Sequence, residues 1–186
     1  VVEAASALEV VPLDLAKQHL KVEQDDEDGL IESYVEAALS HIDGPTGWLG
    51  RSIAVQTLEA RFDNFGCGCI RLGYPPVREI LSVKYLDSDG AEQTIDPDQY
   101  LLVGDNLEPA IGVSWPSTML RREAVRVRYE AGYGADLRLP RSVVHAVLLM
   151  VGDLYRNRES TSDGAAIKVQ MPTTVENLLS PLRVFA

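Results

Sequence analysis

The sequence predicts an α+β fold: a small helical bundle of two N-terminal helices, a central hydrophobic helix and a short C-terminal helix, with an inserted, mostly antiparallel β region. Three observations carry this. Apolar residues recur at spacings of three and four across residues 13–42 and again across 141–157. Between them, from residue 52, the period shortens towards two and turn residues such as Asp89-Gly90 interrupt it. At 186 residues, 46% of them hydrophobic, the chain can bury one sizeable core or a core with a companion lobe. The expected divisions are 1–51 for the N-terminal helices, 52–134 for the β region, 135–159 for the central helix, and 160–186 for a flexible loop and C-terminal segment.

After an expected tail, Leu13, Ala16 and Leu20 define the buried stripe of a short first helix. Leu30, Ile31, Tyr34, Val35, Ala38, Leu39 and Ile42 define a second of about five turns. Gly44 and Pro45 end it, the glycine by its access to a left-handed cap and the proline by having no N–H. Strand candidates follow in "SIAVQTLEARF", on both sides of Asp89-Gly90, in "AIGV", and in "AVRVRYEAGYG", where Val125, Val127 and Tyr129 alternate with Arg126 and Arg128. After Pro140, "SVVHAVLLMVGDLYRNRE" is apolar almost all round, as expected of a helix on which the others pack, and Gly152 within it suggests close approach of another element. "NRESTSDGAA" reads as a loop. "TTVENLLSPLRVF" reads as a short helix capped by Thr173 or Thr174 and limited by Pro181.

Charge is unevenly placed. Residues 1–43 hold 11 Asp/Glu and 2 Lys/Arg, so they carry −9 of the formal −11. This balance disfavours a basic surface that reads duplex DNA, yet allows a local basic patch or a channel that DNA traverses. Cys67 and Cys69 are too close for an unstrained disulfide and suit a reducing compartment. No apolar run reaches membrane-spanning length and the first residues lack a signal-peptide pattern, so no membrane partner and a cytosolic origin are expected.

Asp25, Asp26, Glu27 and Asp28 precede the second helix, and three readings compete for them. A calcium loop needs ligands at fixed positions, and with Gly29 or Gly90 at the sixth position the two candidates put Gln24 or Tyr85 at the first position and Val35 or Asp96 where the closing glutamate belongs. A helix start is satisfied by Asp25 or Asp26 accepting first-turn N–H groups, with the other acids complementing the positive helix end. Two acids suffice for that, so the surplus faces either water or an external demand for negative charge. The cysteine pair is half a zinc site at best. His19, His41 and His145 are far apart, and His145 is expected to pack in its apolar helix. Ser160 and Ser162 have no nucleophile-elbow pattern beside them, and "GYGADLRLP" lacks the lysine of a phosphate loop. No catalytic residue, metal or cofactor is therefore expected. Arg121, Arg122, Arg126 and Arg128 form the densest basic stretch, either a solvated sheet face or a partner for an acidic neighbour.

Taken in order, "LDLAKQHLKVEQDDEDGLIESYVEAALSHIDGPTG", "LGYPPVREILSVKYLDSDGAEQTIDPDQYLL", "VRYEAGYG", "LPRSVVHAVLLMVGDLYRNRE" and "TVENLLSPLRV" resemble the tailed-phage head-tail connector (head completion, adaptor) proteins, a family that includes the adaptors of phage-like gene transfer agents. The resemblance spans nearly the whole chain and contains no catalytic signature. It implies a structural subunit of a ring of about twelve copies, between the portal protein and a stopper or tail-side neck protein, with DNA passing through the lumen unread. It implies localisation to the neck of a virion or phage-like particle, after assembly in the host cytoplasm. Residues 173–185 would then dock on the portal, through Thr174, Val175, Leu178, Leu179, Pro181, Leu182, Arg183 and Phe185. Asp25, Asp26, Glu27 and Asp28 would line the conduit or its rim, or lie at a seam between subunits, with Arg121, Arg122, Arg126 and Arg128 as inter-subunit candidates. The rival expectations are a small metal-dependent hydrolase and a stopper or tail-terminator protein.

Overall fold

The computed structural model describes residues 3–4, 7–66, 68–134, 137–157 and 171–185. Helix α1 (Leu13–Leu20) buries Ala16 and closes at Lys21, whose left-handed backbone lets Val22 N–H reach back to Lys17 O at 3.0 Å. Helix α2 (Asp28–Ile42) buries Ile31, Val35, Ala38, Leu39 and Ile42 as one stripe. Leu30, expected in that stripe, falls beside it and stays more than a third exposed. The helix ends at an extended Asp43, after which Gly44 takes the expected left-handed turn at φ +67°.

Helix α3 (Arg141–Arg156) is the hub of this bundle, touching α1, α2 and a last helix, α4 (Thr173–Leu179). It buries Val143, Ala146, Val147, Leu148 and Val151. The helix is less uniformly apolar than expected: His145, predicted to pack, lies opposite that stripe and is exposed. Gly152 meets the expected close neighbour, since a Cβ there would stand 3.4 Å from His19 Nε2. At α4, Pro172 occupies the cap position and Thr173 is already helical, so neither Thr173 nor Thr174 caps through its side chain. Pro181 does end the α-helical run, and it does so inside a 3-10 turn at Ser180–Leu182.

The β region holds two antiparallel sheets. Strands β1 (Glu3–Ala4), β2 (Gln56–Phe62), β4 (Val77–Leu86), β5 (Glu92–Thr94) and β8 (Val125–Ala131) make the larger, in the order β1-β2-β8-β4-β5. Strands β3 (Ile70–Arg71), β6 (Tyr100–Val103) and β7 (Asn106–Pro109) make the smaller, in the order β3-β7-β6. The expected N-terminal tail thus supplies an edge strand, with Glu3 opposite Thr57. The turn at Asp87–Gly90 forms as expected, with Ala91 N–H bonded to Asp87 Oδ1 at 2.9 Å and Gly90 at φ +84°. "AIGV" is not a strand; the pairing falls four residues earlier, at Asn106–Pro109, and Gly112 sits in a turn at φ +80°. In β8 the alternation holds: Val125, Val127, Tyr129 and Ala131 are buried, with Arg126 and Arg128 outside.

Two hydrophobic clusters follow from this arrangement, one of helices and one centred on Leu58, Val83, Leu107, Val127 and Tyr129. Ile53, Ala54 and Tyr133 cross the boundary and pack with the helices. The glycine- and proline-rich stretches meet at this joint. Asp43 accepts the N–H groups of Ile53 and Ala54 and the Gln56 side-chain amide, tying the end of α2 to the start of the sheet. Burial raises its pKa above the usual carboxylate range, against the pull of those donors. Gly132 N–H bonds Pro76 O at 2.9 Å, and at φ +119° a Cβ on Gly132 would come within 2.2 Å of Ala54 O. Only glycine fits there.

Candidate interaction surfaces

The acidic burst is used inside the molecule. Asp25 and Asp28 each place Oδ1 2.6 Å from Lys17 Nζ, a side chain only 12% exposed, so α1 is clamped to the start of α2. The hydrogen bond from Lys17 holds the Asp25 carboxyl below its ordinary range, and the bond to Asp25 raises the Lys17 ammonium in turn. Glu27 accepts a hydrogen bond from Tyr155 Oη on α3. Neither Asp25 nor Asp26 caps α2: Glu27 holds the cap position, without a side-chain cap bond. Asp26 is exposed at the turn and forms no ion pair among the described residues. Lys17 is the residue sequence reading missed, although it is one of only two cations in residues 1–43.

The C-terminal segment is docked rather than free over residues 171–185. Val175 and Leu179, expected to face the portal, are fully buried in the helical cluster because α4 turns its one apolar stripe onto α3. Beyond the 3-10 turn, Arg51 Nε donates to Leu182 O and Val184 N–H bonds Leu49 O at 2.8 Å. Arg183 lies over Trp48, 4.2 Å from the ring centre, and 4.8 Å from that of Phe185. What remains outward is Thr174, Pro181 and a 75% exposed Phe185, with Leu178, Leu182 and Arg183 half-buried. Phe185 borders a groove of about 280 Å³ lined also by Gly50, Arg71, Tyr74, Pro75 and Val184. The loop expected after Asn157, with Ser160 and Ser162, lies outside the described residues, as does Cys67; Cys69 is exposed and free.

The arginines divide into two groups. Arg128 pairs with Glu59 at 2.9 Å and Arg126 with Glu92 at 3.5 Å, and Glu59 also takes Arg61 while Glu92 takes Lys84. Cross-strand register sets the first pair, since Glu59 stands opposite Arg128, whereas Lys84 stands opposite Arg126 and these two like charges share Glu92 of β5. These exposed pairs make the outer sheet face a mixed-charge lattice, in which solvent screening leaves each pair a minor contribution to stability. Arg121 and Arg122 are different: both are exposed, and neither has an ion pair among the described residues. His19, His41 and His145 are all exposed, and among the described residues no three His, Cys, Asp or Glu side chains converge as a metal site.

No family model and no curated protein matches the chain. Solved structures do. The neck of an empty GTA particle, computed with C6 symmetry, contains a chain 23% identical with a TM-score of 0.71, matched over 98% of this chain and 93% of that one. The chain shares that protein's fold. The neck of the native GTA particle, computed with C12 symmetry, gives 23% identity and a TM-score of 0.69, and the virion of the native gene transfer agent gives 24% and 0.71, with the same coverage of both chains. The similarity takes in helices and sheets together, so the β region belongs to the shared fold and is no addition peculiar to this chain.

Proposed function

We infer that this protein is a structural head-tail connector, an adaptor subunit that forms a ring between the portal and the next neck or tail component of a phage-like particle and surrounds the DNA path. The observation that carries the reading is the end-to-end likeness of its fold to a chain in the neck of a particle with cyclic symmetry. A closed ring of about twelve copies is the assembly this favours. The internal use of its acids fits a non-enzymatic role: Asp25, Asp28 and Glu27 are committed to Lys17 and Tyr155, not gathered in a concave site.

In this reading the portal meets the outward part of residues 173–185, namely Thr174, Pro181 and Phe185 with the flanks of Leu178, Leu182 and Arg183, while Val175 and Leu179 hold α4 in place. The net negative charge of the first 43 residues keeps the ring negative as a whole, so passing DNA is not retained by phosphate contacts. The test is co-sedimentation with a purified portal ring. The wild-type chain should bind in multiple copies; Phe185→Ser should lose binding and leave the melting temperature unchanged. Failure of the wild-type chain to bind, or binding indifferent to Phe185, would count against this docking face.

A further inference from the structure

Residues 110–124 connect the small sheet to β8, and this loop is held firmly while some of its apolar side chains stand in water. Ala110 N–H bonds Gln99 O at 2.9 Å, Met119 N–H bonds Leu86 O at 2.9 Å, and Glu123 N–H bonds Asp63 Oδ1 at 3.0 Å. Trp115 stacks on Phe65 with ring centres 4.7 Å apart and donates to Gly68 O. Ile111 and Leu120 are nevertheless 98% and 102% exposed, and Val113 and Met119 are each more than a third exposed. A loop anchored at so many points cannot fold these side chains inward, and their hydration is relieved only by another surface.

Beside Leu120 stand Arg121 and Arg122, without an acidic partner among the described residues, in contrast to the paired Arg61, Lys84, Arg126 and Arg128. A chain of net charge −11 repels its own copies, so lateral contact needs a local patch of opposite sign. The complement is on the helical side of the same molecule. Asp26 is exposed at the turn before α2, and Glu32 and Glu36 follow one helical turn apart on α2, none of them in an ion pair among the described residues.

We propose that the 110–123 loop is an inter-subunit finger, with Leu120, Arg121 and Arg122 of one copy docking against Asp26, Glu32 and Glu36 of a second copy of this chain. Two different surfaces meet head to tail, the geometry that generates a ring when the rotation closes. The proposal rests on the ring-subunit reading above.

Sedimentation of the full chain at high concentration, across a series of salt concentrations from low to high, tests it with two reversed variants, Arg121→Glu/Arg122→Glu and Asp26→Lys/Glu32→Lys/Glu36→Lys, each checked for an unchanged melt. The wild type should self-associate. Each variant alone should associate roughly tenfold more weakly or worse, and an equimolar mixture should recover, because each variant's finger then faces a surface of opposite sign. Leu120→Ser should weaken association at every salt concentration. A wild type that remains monomeric throughout, association indifferent to the reversals, or a mixture that fails to recover overturns the finger. The ring reading fails separately, by absence of the wild-type chain from a particle neck.

Discussion

Asp25 and Asp43 show how differently two carboxylates act in one small fold. For Asp25 the folded pKa is depressed by Lys17, so its contribution is present above the ordinary carboxylate pKa and is lost as pH falls through the depressed value. Asp25→Asn should lower stability at neutral pH, and the loss should shrink on acidification below about pH 4 in denaturant melts. Asp43 has the opposite sign. Its raised pKa means the fold prefers the protonated group, so its stabilisation is greatest below the ordinary pKa and declines as pH rises through the raised one. Asp43→Ala should cost about 1–3 kcal/mol for each of the Ile53 and Ala54 amides left without an acceptor, and the cost should grow, not shrink, on acidification. These partnerships were hidden in the sequence because they join residues 8 to 128 positions apart. The surplus of acid over capping need was visible; that its partner was a lysine on the previous helix was not.

Among the elements, the helices were legible because each carries one stripe at a fixed period, and β8 because Val125, Val127 and Tyr129 alternate cleanly. The short strands were not: Asn106–Pro109 has a polar residue, an acid and a proline, and its pairing with β6 is dictated by the Gly104 turn rather than by pattern. The start of α4 also escaped, since Pro172 occupies the cap position where Thr173 or Thr174 was expected; Pro12 and Pro140 hold the same position at α1 and α3. The docked C-terminus is a property of the joint. Gly50 has φ +62° and a Cβ there would stand 2.4 Å from Val184 O. Gly50→Ala should therefore release residues 183–185 and accelerate hydrogen exchange at the Val184 amide; unchanged exchange would mean that the tail is held without this contact. Leu179→Ala, by contrast, should cost about 2–5 kcal/mol of global stability, since that side chain is fully buried. The pair of variants separates a residue that builds the fold from one that positions its tail.

For the whole molecule, the negative charge left after these internal contacts is a property that the proposed assembly would use. One copy carries −11, mostly on its helical part, while its sheet face carries cross-strand ion pairs and its 110–123 loop offers Arg121 and Arg122, which have no ion pair among the described residues. In the proposed ring, packed copies concentrate that negative charge, so raising salt should first ease their mutual repulsion and then screen the finger contact, giving an association optimum at intermediate ionic strength. A monotonic salt response in sedimentation would leave only one of those two forces at work. The order of helices and turns was readable because packing stripes are local; the surfaces that remain outward were not, because exposure depends on which face each element turns to its neighbours. The most direct measurement is a particle map at side-chain resolution with this chain placed and its copies counted. The expected result is a closed ring of about twelve subunits around the DNA path, with Phe185 against the portal side. A chain located outside the neck, or present there as an isolated copy, would contradict the connector role.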